Sequence, residues 1–410
     1  MNEMKNKISK IIPINPIVPI VTIVTVATLF LTGCYREPPL HLYDWENPGI
    51  ELPWVDVKLD LYWGSSDWRS EWYYGKCGQE GGWDAEDKRI FGELEYVEPS
   101  NFFVYRYFTD NVPYGKRTIL RDAYISGRTF RAKYDWGFWD ILAWNDVKTI
   151  DGVQSLVFSE SQSLDDDIVA STNQTMHSSR YHAPRYQNSF YEPEQLFSAC
   201  ERGIEIDQNL KDFVYIPEEQ IWLRKLDMML EPLTYIYLPQ IILHHNINPV
   251  NNERRIKPDS ESETQTYDAN ISGMARSTNL NTGVSGTDAI AVSYKMRFKK
   301  DMDMRGETVD IVGGRLMTFG ICGQNGNRVS RAEESIDKER HFIDINMQFY
   351  NGMDSTFVFD VTDQVRKRYR GGVITIELDM DTVPVPRRPG GSGFDAVVKE
   401  FDEETHVIEL

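Results

Sequence analysis

The chain has 410 residues, with 44 Lys and Arg against 63 Asp and Glu, a formal net charge of −19. A surface this acidic repels phosphate backbones and excludes nucleic acid as an expected partner. Hydrophobic residues at 41% suffice for real cores, and an aromatic share of 12% leans toward β-structure.

Lys5, Lys7 and Lys10 precede an apolar run that ends in Leu31-Thr32-Gly33-Cys34. As a helix, Ile17–Leu31 would span only about 22 Å, short of the roughly 30 Å hydrocarbon core of a membrane. Pro13, Pro16 and Pro19 break its beginning. Small residues directly before a cysteine, ahead of a polar chain, read as a processed secretion signal (1–33) rather than a transmembrane anchor. The new N-terminus is then Cys34, the expected site of lipidation, and the mature chain carries a charge of −21, because three lysines and Glu3 leave with the signal. More than one acyl chain on that cysteine makes a stable tether, since each buried methylene adds about 0.8 kcal/mol. Outer-membrane attachment follows, facing the periplasm or the cell exterior.

Residues 34–53 are rich in proline and polar side chains and read as a stalk. Strand signals begin with the alternation Val55, Val57, Leu59, Leu61 and Trp63. They continue at Phe102–Phe108, at Phe130–Tyr134, at Phe138–Trp144 and at Val153–Phe158. Pro193 in a first turn predicts one short helix over Glu192–Cys200. A second set of strands starts near Trp222, with Leu226–Glu231 and Leu233–Leu243 separated by Pro232. The polar region Asn246–Tyr267 is expected to be a long exposed loop. Asp268–Leu280, Asp288–Phe298, Thr308–Cys322, Phe342–Phe349, Thr356–Val361 and Val373–Leu378 continue the β pattern. A short helix is expected from Thr362 to the glycine pair Gly371-Gly372. Residues 384–393 read as a linker-like loop, and Phe394–Leu410 as terminal strand. Strands separated by Gly, Asp and Asn turns indicate an all-β protein of β-sandwich type. The expected division is an N-terminal β-sandwich domain over 54–210 and a C-terminal one over 211–410.

Chemistry-bearing motifs are sparse. Beyond Cys34, Cys77, Cys200 and Cys322 form no framework. A Cys77–Cys200 bridge is one option, and buried free thiols are the other. His244-His245 end a strand-like run, where neighbouring side chains point to opposite faces and do not converge on one metal. His177 and His182 lack an acidic partner at ligand spacing. Asp165-Asp166-Asp167 lacks the alternation and closing glutamate of a calcium loop. Asp379 and Asp381 alternate so as to share one strand face, which would suit acid/base work, but no nucleophile accompanies them. Gly-x-Ser-x-Gly, His-Glu-x-x-His and phosphate-cradling glycine patterns are absent. No catalytic site, cofactor or metal is expected. Trp139 and Trp144 are the candidate ligand-facing aromatics, because flat rings stack on sugars, and a glycan is the corresponding candidate ligand. The opposing reading puts one face of that aromatic strand in the core.

Three stretches carry a family resemblance. Phe138-Trp139-Asp140-Ile141-Leu142-Ala143-Trp144-Asn145, Tyr267-Asp268-Ala269-Asn270-Ile271-Ser272-Gly273-Met274-Ala275 and Gly393-Phe394-Asp395-Ala396-Val397-Val398 resemble strands of the fimbrillin superfamily, the FimA-type subunits and anchors of Bacteroidales fimbriae. Cys34-Tyr35-Arg36-Glu37-Pro38-Pro39 and Leu230-Glu231-Pro232-Leu233-Thr234-Tyr235 resemble a lipoprotein branch of it. The resemblance implies two transthyretin-like β-sandwiches in tandem, a non-catalytic role in fimbrial anchoring or adhesion, and fimbrial subunits as partners through strand addition. Polymerising members are cleaved after an arginine to open a strand-accepting groove. This chain shows no such site after its first strand, which implies an anchor, accessory or terminal subunit. The alternative is a glycan-binding surface lipoprotein that captures nutrients.

Overall fold

The computed structural model describes residues 55–63, 96–97, 99–109, 118–127, 129–135, 137–147, 155–159, 168–175, 188–206, 210, 212–247, 252–256, 266–304, 306–323, 338–386 and 405–408. The signal 1–33 with Cys34, the stalk, Cys77, residues 165–167, His177, His182 and residues 393–398 lie outside them. One compact unit, Pro53–Asp110 with Tyr114–Leu410, contains every described strand; a second unit, Met1–Leu52 with Asn111–Pro113, lies outside the described residues.

In chain order the strands are β1 (Val55–Trp63), β2 (Asn101–Thr109), β3 (Thr118–Ser126), β4 (Thr129–Tyr134), β5 (Gly137–Asn145), β6 (Leu156–Phe158) and β7 (Val169–Thr172). Next come β8 (Ser189–Phe190), β9 (Phe197–Ile206), β10 (Val214–Ile216), β11 (Ile221–Pro232), β12 (Tyr235–His244), β13 (Thr266–Ala275) and β14 (Ser277–Asn279). The last are β15 (Ala289–Met304), β16 (Glu307–Gly313), β17 (Leu316–Thr318), β18 (Phe342–Gln348), β19 (Asp354–Asp360), β20 (Gly372–Asp379) and β21 (Thr405–Ile408). A single α-helix, α1 (Thr362–Lys367), occurs among the described residues. The protein is mainly β.

The first sheet runs β3-β2-β5-β9-β11-β1-β4, with β10 beside β11. Strand β11 is its corner. Its last two residues, Glu231 and Pro232, pair antiparallel with β9, while its preceding length pairs parallel with β1. One core takes Val104 from β2, Trp139 and Ile141 from β5, Ile204 from β9, and Leu226 and Met228 from β11. Side chains from both arms of the path therefore meet, as they do when a sheet closes over itself into a sandwich.

Arg106 on β2 is buried in this core. Its Nη1 donates to Lys133 O at 2.8 Å, and its guanidinium lies 4.7 Å from the Tyr134 ring and 5.9 Å from that of Trp139. A planar guanidinium can stack on a ring and donate sideways at the same time, whereas an ammonium has no plane to stack. Arg106→Lys is therefore expected to cost about 1–2 kcal/mol, read as a lowered urea midpoint at unchanged m-value.

The second sheet runs β17-β12-β16-β15-β13-β18-β19-β21, with β20 beside β12 and β8 beside β15. Here the corner is the long strand β15. It pairs with β13 through Ala289–Arg297 and with β16 through Arg297–Met304, with a register shift between Lys299 and Met302. Its core gathers Tyr237 and Ile241 from β12, Ile271 from β13, Ile345 from β18, Phe357 from β19 and Ile376 from β20. Opposite ends of the strand path again feed one interior. A third cluster contains Leu142, Trp144, Leu156 and Ala170 together with Ala275, Leu280 and Phe319. Strand β14 pairs with β7, and β8 with β15, so hydrogen bonds cross the expected boundary at residues 210 and 211.

Two local expectations are corrected. Glu192–Cys200 is not helical: residues 191–196 are irregular and β9 begins at Phe197. The Asn145 side chain accepts from Phe197 N at 2.6 Å and donates to Gln195 O at 2.8 Å, which holds this segment extended against β5. Tertiary pairing thereby overrides a helical start signal. In the expected loop Asn246–Tyr267, Asn246 and Ile256 are buried, and the Asn246 side chain bonds both the amide and the carbonyl of Ile256. The helix expected from Thr362 is α1, and Gly371 (φ 96°) and Gly372 (φ 142°) turn the chain from it into β20.

Candidate functional site

Strand β5 is flanked by β2 and β9 and covered on both faces. Trp139, only 2% exposed, faces the first core; its Nε1 donates to Asp135 O at 2.9 Å, and its ring meets Tyr134 edge-on at 5.0 Å. Trp144, five residues on and 6% exposed, faces the third cluster among Phe103, Tyr105 and Phe158. Stacking on a sugar requires an accessible ring face, and neither tryptophan offers one. The two rings lie on opposite faces of β5, and both faces are interior.

The resemblance stretches also have structural duties. Phe138–Asn145 lies within β5, and Tyr267–Ala275 within β13, where Ile271, Met274 and Ala275 are buried. In Leu230–Tyr235, Thr234 is fully buried at the passage from β11 to β12. Its carbonyl accepts from Tyr96 OH at 2.7 Å, and its Oγ1 accepts from Leu196 N at 3.2 Å. Cys200 and Cys322 are partly buried, and the Cys322 thiol lies 3.8 Å from Gly273 O.

Polar side chains converge at one end of the second sheet. Strands β12 and β20 run parallel with His244 opposite Asp379, so the residues beyond them emerge together. His245 leaves the strand at φ 56°, a left-handed conformation uncommon outside glycine. Its Nδ1 lies 2.8 Å from Asp379 Oδ1 and 3.8 Å from Asp381 Oδ2. The bond to Asp379 raises the His245 pKa and lowers that of Asp379, as expected of an ion pair. His244 turns the other way, its Nδ1 3.1 Å from Glu307 Oε2 on β16. The two histidines diverge, but not by strand alternation, because β12 ends at His244. His245 sits in a turn, and its positive φ swings the ring onto Asp379. Asp379 and Asp381 do not share a strand face, because β20 ends at Asp379; they come together in the turn that follows it, where Asp381 N donates to Asp379 Oδ1. The one sequence signal for the whole cluster was the polar residues closing two apolar strands.

No family model matches this sequence, and no curated protein matches it. Among solved structures, the chain is similar to a candidate adhesin from Bacteroides ovatus at 14% identity and a TM-score of 0.42, covering 82% of this chain and 95% of that one. It is similar to a fimbrial anchor protein from Porphyromonas gingivalis at 11% identity and a TM-score of 0.35, covering 80% of this chain and 90% of that one. A candidate cell adhesion protein from Bacteroides eggerthii is similar at 10% identity and a TM-score of 0.37, with coverage of 80% and 87%.

Proposed function

We propose that this chain is a lipid-anchored protein of the outer membrane, acting without catalysis in fimbrial anchoring, assembly or adhesion through tandem β-sandwich domains over 54–210 and 211–410. The observation that carries the reading is Leu31-Thr32-Gly33-Cys34 at the end of a short apolar run, directly ahead of an acidic, β-rich chain. Two or more acyl chains on Cys34 hold such a chain at a membrane that its own charge would not favour. Sheet edges supply the means of assembly. The path of the first sheet ends in β3 and β4, and edge strands are where another chain adds main-chain hydrogen bonds. A fimbrial anchor role, as named for the P. gingivalis protein, is the corresponding proposal for this chain.

Cys34→Ala in the native host tests the anchor. Radiolabelled palmitate should no longer enter the protein, and the protein should move from the outer-membrane fraction to the soluble one. Unchanged labelling would overturn the lipid assignment. The fimbrial role is tested separately by deletion: surface fibres of unaltered length, number and attachment would overturn it and leave the lipid assignment standing.

A further inference from the structure

We propose that His245, Asp379 and Asp381 form a binding site for a zinc-class divalent transition ion on the surface of the second sheet. Among the described residues, these three bring one ligand atom each within 4.8 Å of one another. A tetrahedral ion with ligands at about 2.0–2.2 Å sets its donors roughly 3.3–3.6 Å apart. The separations from Nδ1, 2.8 and 3.8 Å, straddle that value, and the carboxylate oxygens lie within 4.8 Å of each other, so rotations of these surface side chains admit the ion.

One carboxylate satisfies one imidazole nitrogen. The second stands at 3.8 Å, beyond hydrogen-bond reach, and brings a second negative charge to the same spot. With the imidazole neutral, the two carboxylates of the set match the double positive charge of a divalent ion. The backbone also holds the donors in place. Met380 N donates to His244 O at 3.0 Å and extends the strand pair by a residue; Asp381 N donates to Asp379 Oδ1 at 3.0 Å. Thr382 Oγ1 donates to Asp379 O at 2.8 Å, and Arg254 donates to the Asp381 carbonyl. The left-handed backbone of His245 aims the ring at the carboxylates.

The donor set selects the metal. An imidazole nitrogen with two carboxylates suits zinc, cobalt, nickel or copper, whereas magnesium and calcium take oxygen shells. The side chains of His245 and Asp379 are 52% and 43% exposed, so the ion enters from solvent and keeps water in its remaining position. The site does not depend on the fimbrial reading.

Calorimetric titration of the purified, chelator-treated full-length protein with zinc chloride tests it. One zinc per chain is expected, with His245→Ala and Asp379→Asn each weakening binding about tenfold or more. His244→Ala, which removes the histidine turned toward Glu307, should leave affinity within about threefold, well short of a ligand loss. The three positions are on the surface, and matching unfolding midpoints without metal establish that the variants fold. Added zinc should raise the midpoint of the parent and not of Asp379→Asn, and cobalt should give the parent a tetrahedral visible spectrum that His245→Ala lacks. Absence of saturable zinc binding, or equal binding by His245→Ala, would overturn the proposal.

Discussion

Gly273→Ala is expected to lower stability by about 3 kcal/mol or more, because a positive φ and a steric clash coincide at that residue. Gly273 stands at φ 83° where β13 bulges against β15, its register shifting between Ser272 and Met274. A Cβ there would lie 2.5 Å from Arg340 O and 2.8 Å from His341 Nδ1. Neither neighbour yields readily. His341 is buried, and its Nδ1 lies 3.3 Å from Ser272 O, while Phe342 N donates to Ser272 Oγ at 3.2 Å. The bulge lets Ile271 and Met274 both reach the second core and aligns Ala275 N with Gly320 O at 2.9 Å. Gly306→Ala separates the two causes, since Gly306 has φ 87° with nothing within 4 Å of a Cβ. That control should cost only about 1 kcal/mol for its backbone conformation. Urea unfolding of both variants checks the argument; equal losses would mean that the contact with residues 340 and 341 is not decisive.

Gly273 also shows how far the sequence was legible. The apolar residues around it declared a strand, and β2, β5, β11, β12, β18 and β20 were visible in the same way. Period-two patterns report local conformation and the presence of a covered face. They do not report which strands meet. The parallel pairing of β1 with β11 joins Val55 to Trp222, a separation that no local pattern encodes. The same limit explains Trp139 and Trp144: the pattern called for one covered face, but only the assembled sheet reveals that both faces of β5 are covered. At Glu192–Cys200, a proline start signal was outweighed by the Asn145 side chain, a partner about fifty positions away. The His245 cluster was illegible for a different reason. Its geometry depends on one left-handed residue beyond the strand end, and the strand periodicity stops one residue earlier.

The largest expected pH effect resides in Asp344 on β18. This carboxyl is fully buried and accepts from Asn270 Nδ2 at 2.8 Å, its cross-strand partner on β13. Burial pushes its pKa from 3.8 up to about 7, against the opposing effect of the Asn270 bond. Between those two values the folded state holds a proton that the unfolded chain has already released. For a group raised in this way, the stability is fully present below the unfolded pKa. It declines as pH rises toward the folded pKa and is lost above it, so the window runs from about 4 to about 7. Asp344→Asn keeps the shape and cannot ionise, so its stability should not carry this decline. The difference in unfolding free energy, variant minus parent, should grow by about 2–3 kcal/mol between pH 5 and pH 8, because each tenfold change in proton affinity is worth about 1.36 kcal/mol. Comparing variant with parent at each pH cancels the contributions of other perturbed carboxyls, above all Glu192, which burial raises to about 7, with Glu194 and Asp310 raised by burial and Asp379 lowered by His245. Urea unfolding at the two pH values reads that difference. A constant difference would mean that Asp344 is ionised in the folded protein throughout, and that the Asn270 bond outweighs the cost of burying the charge.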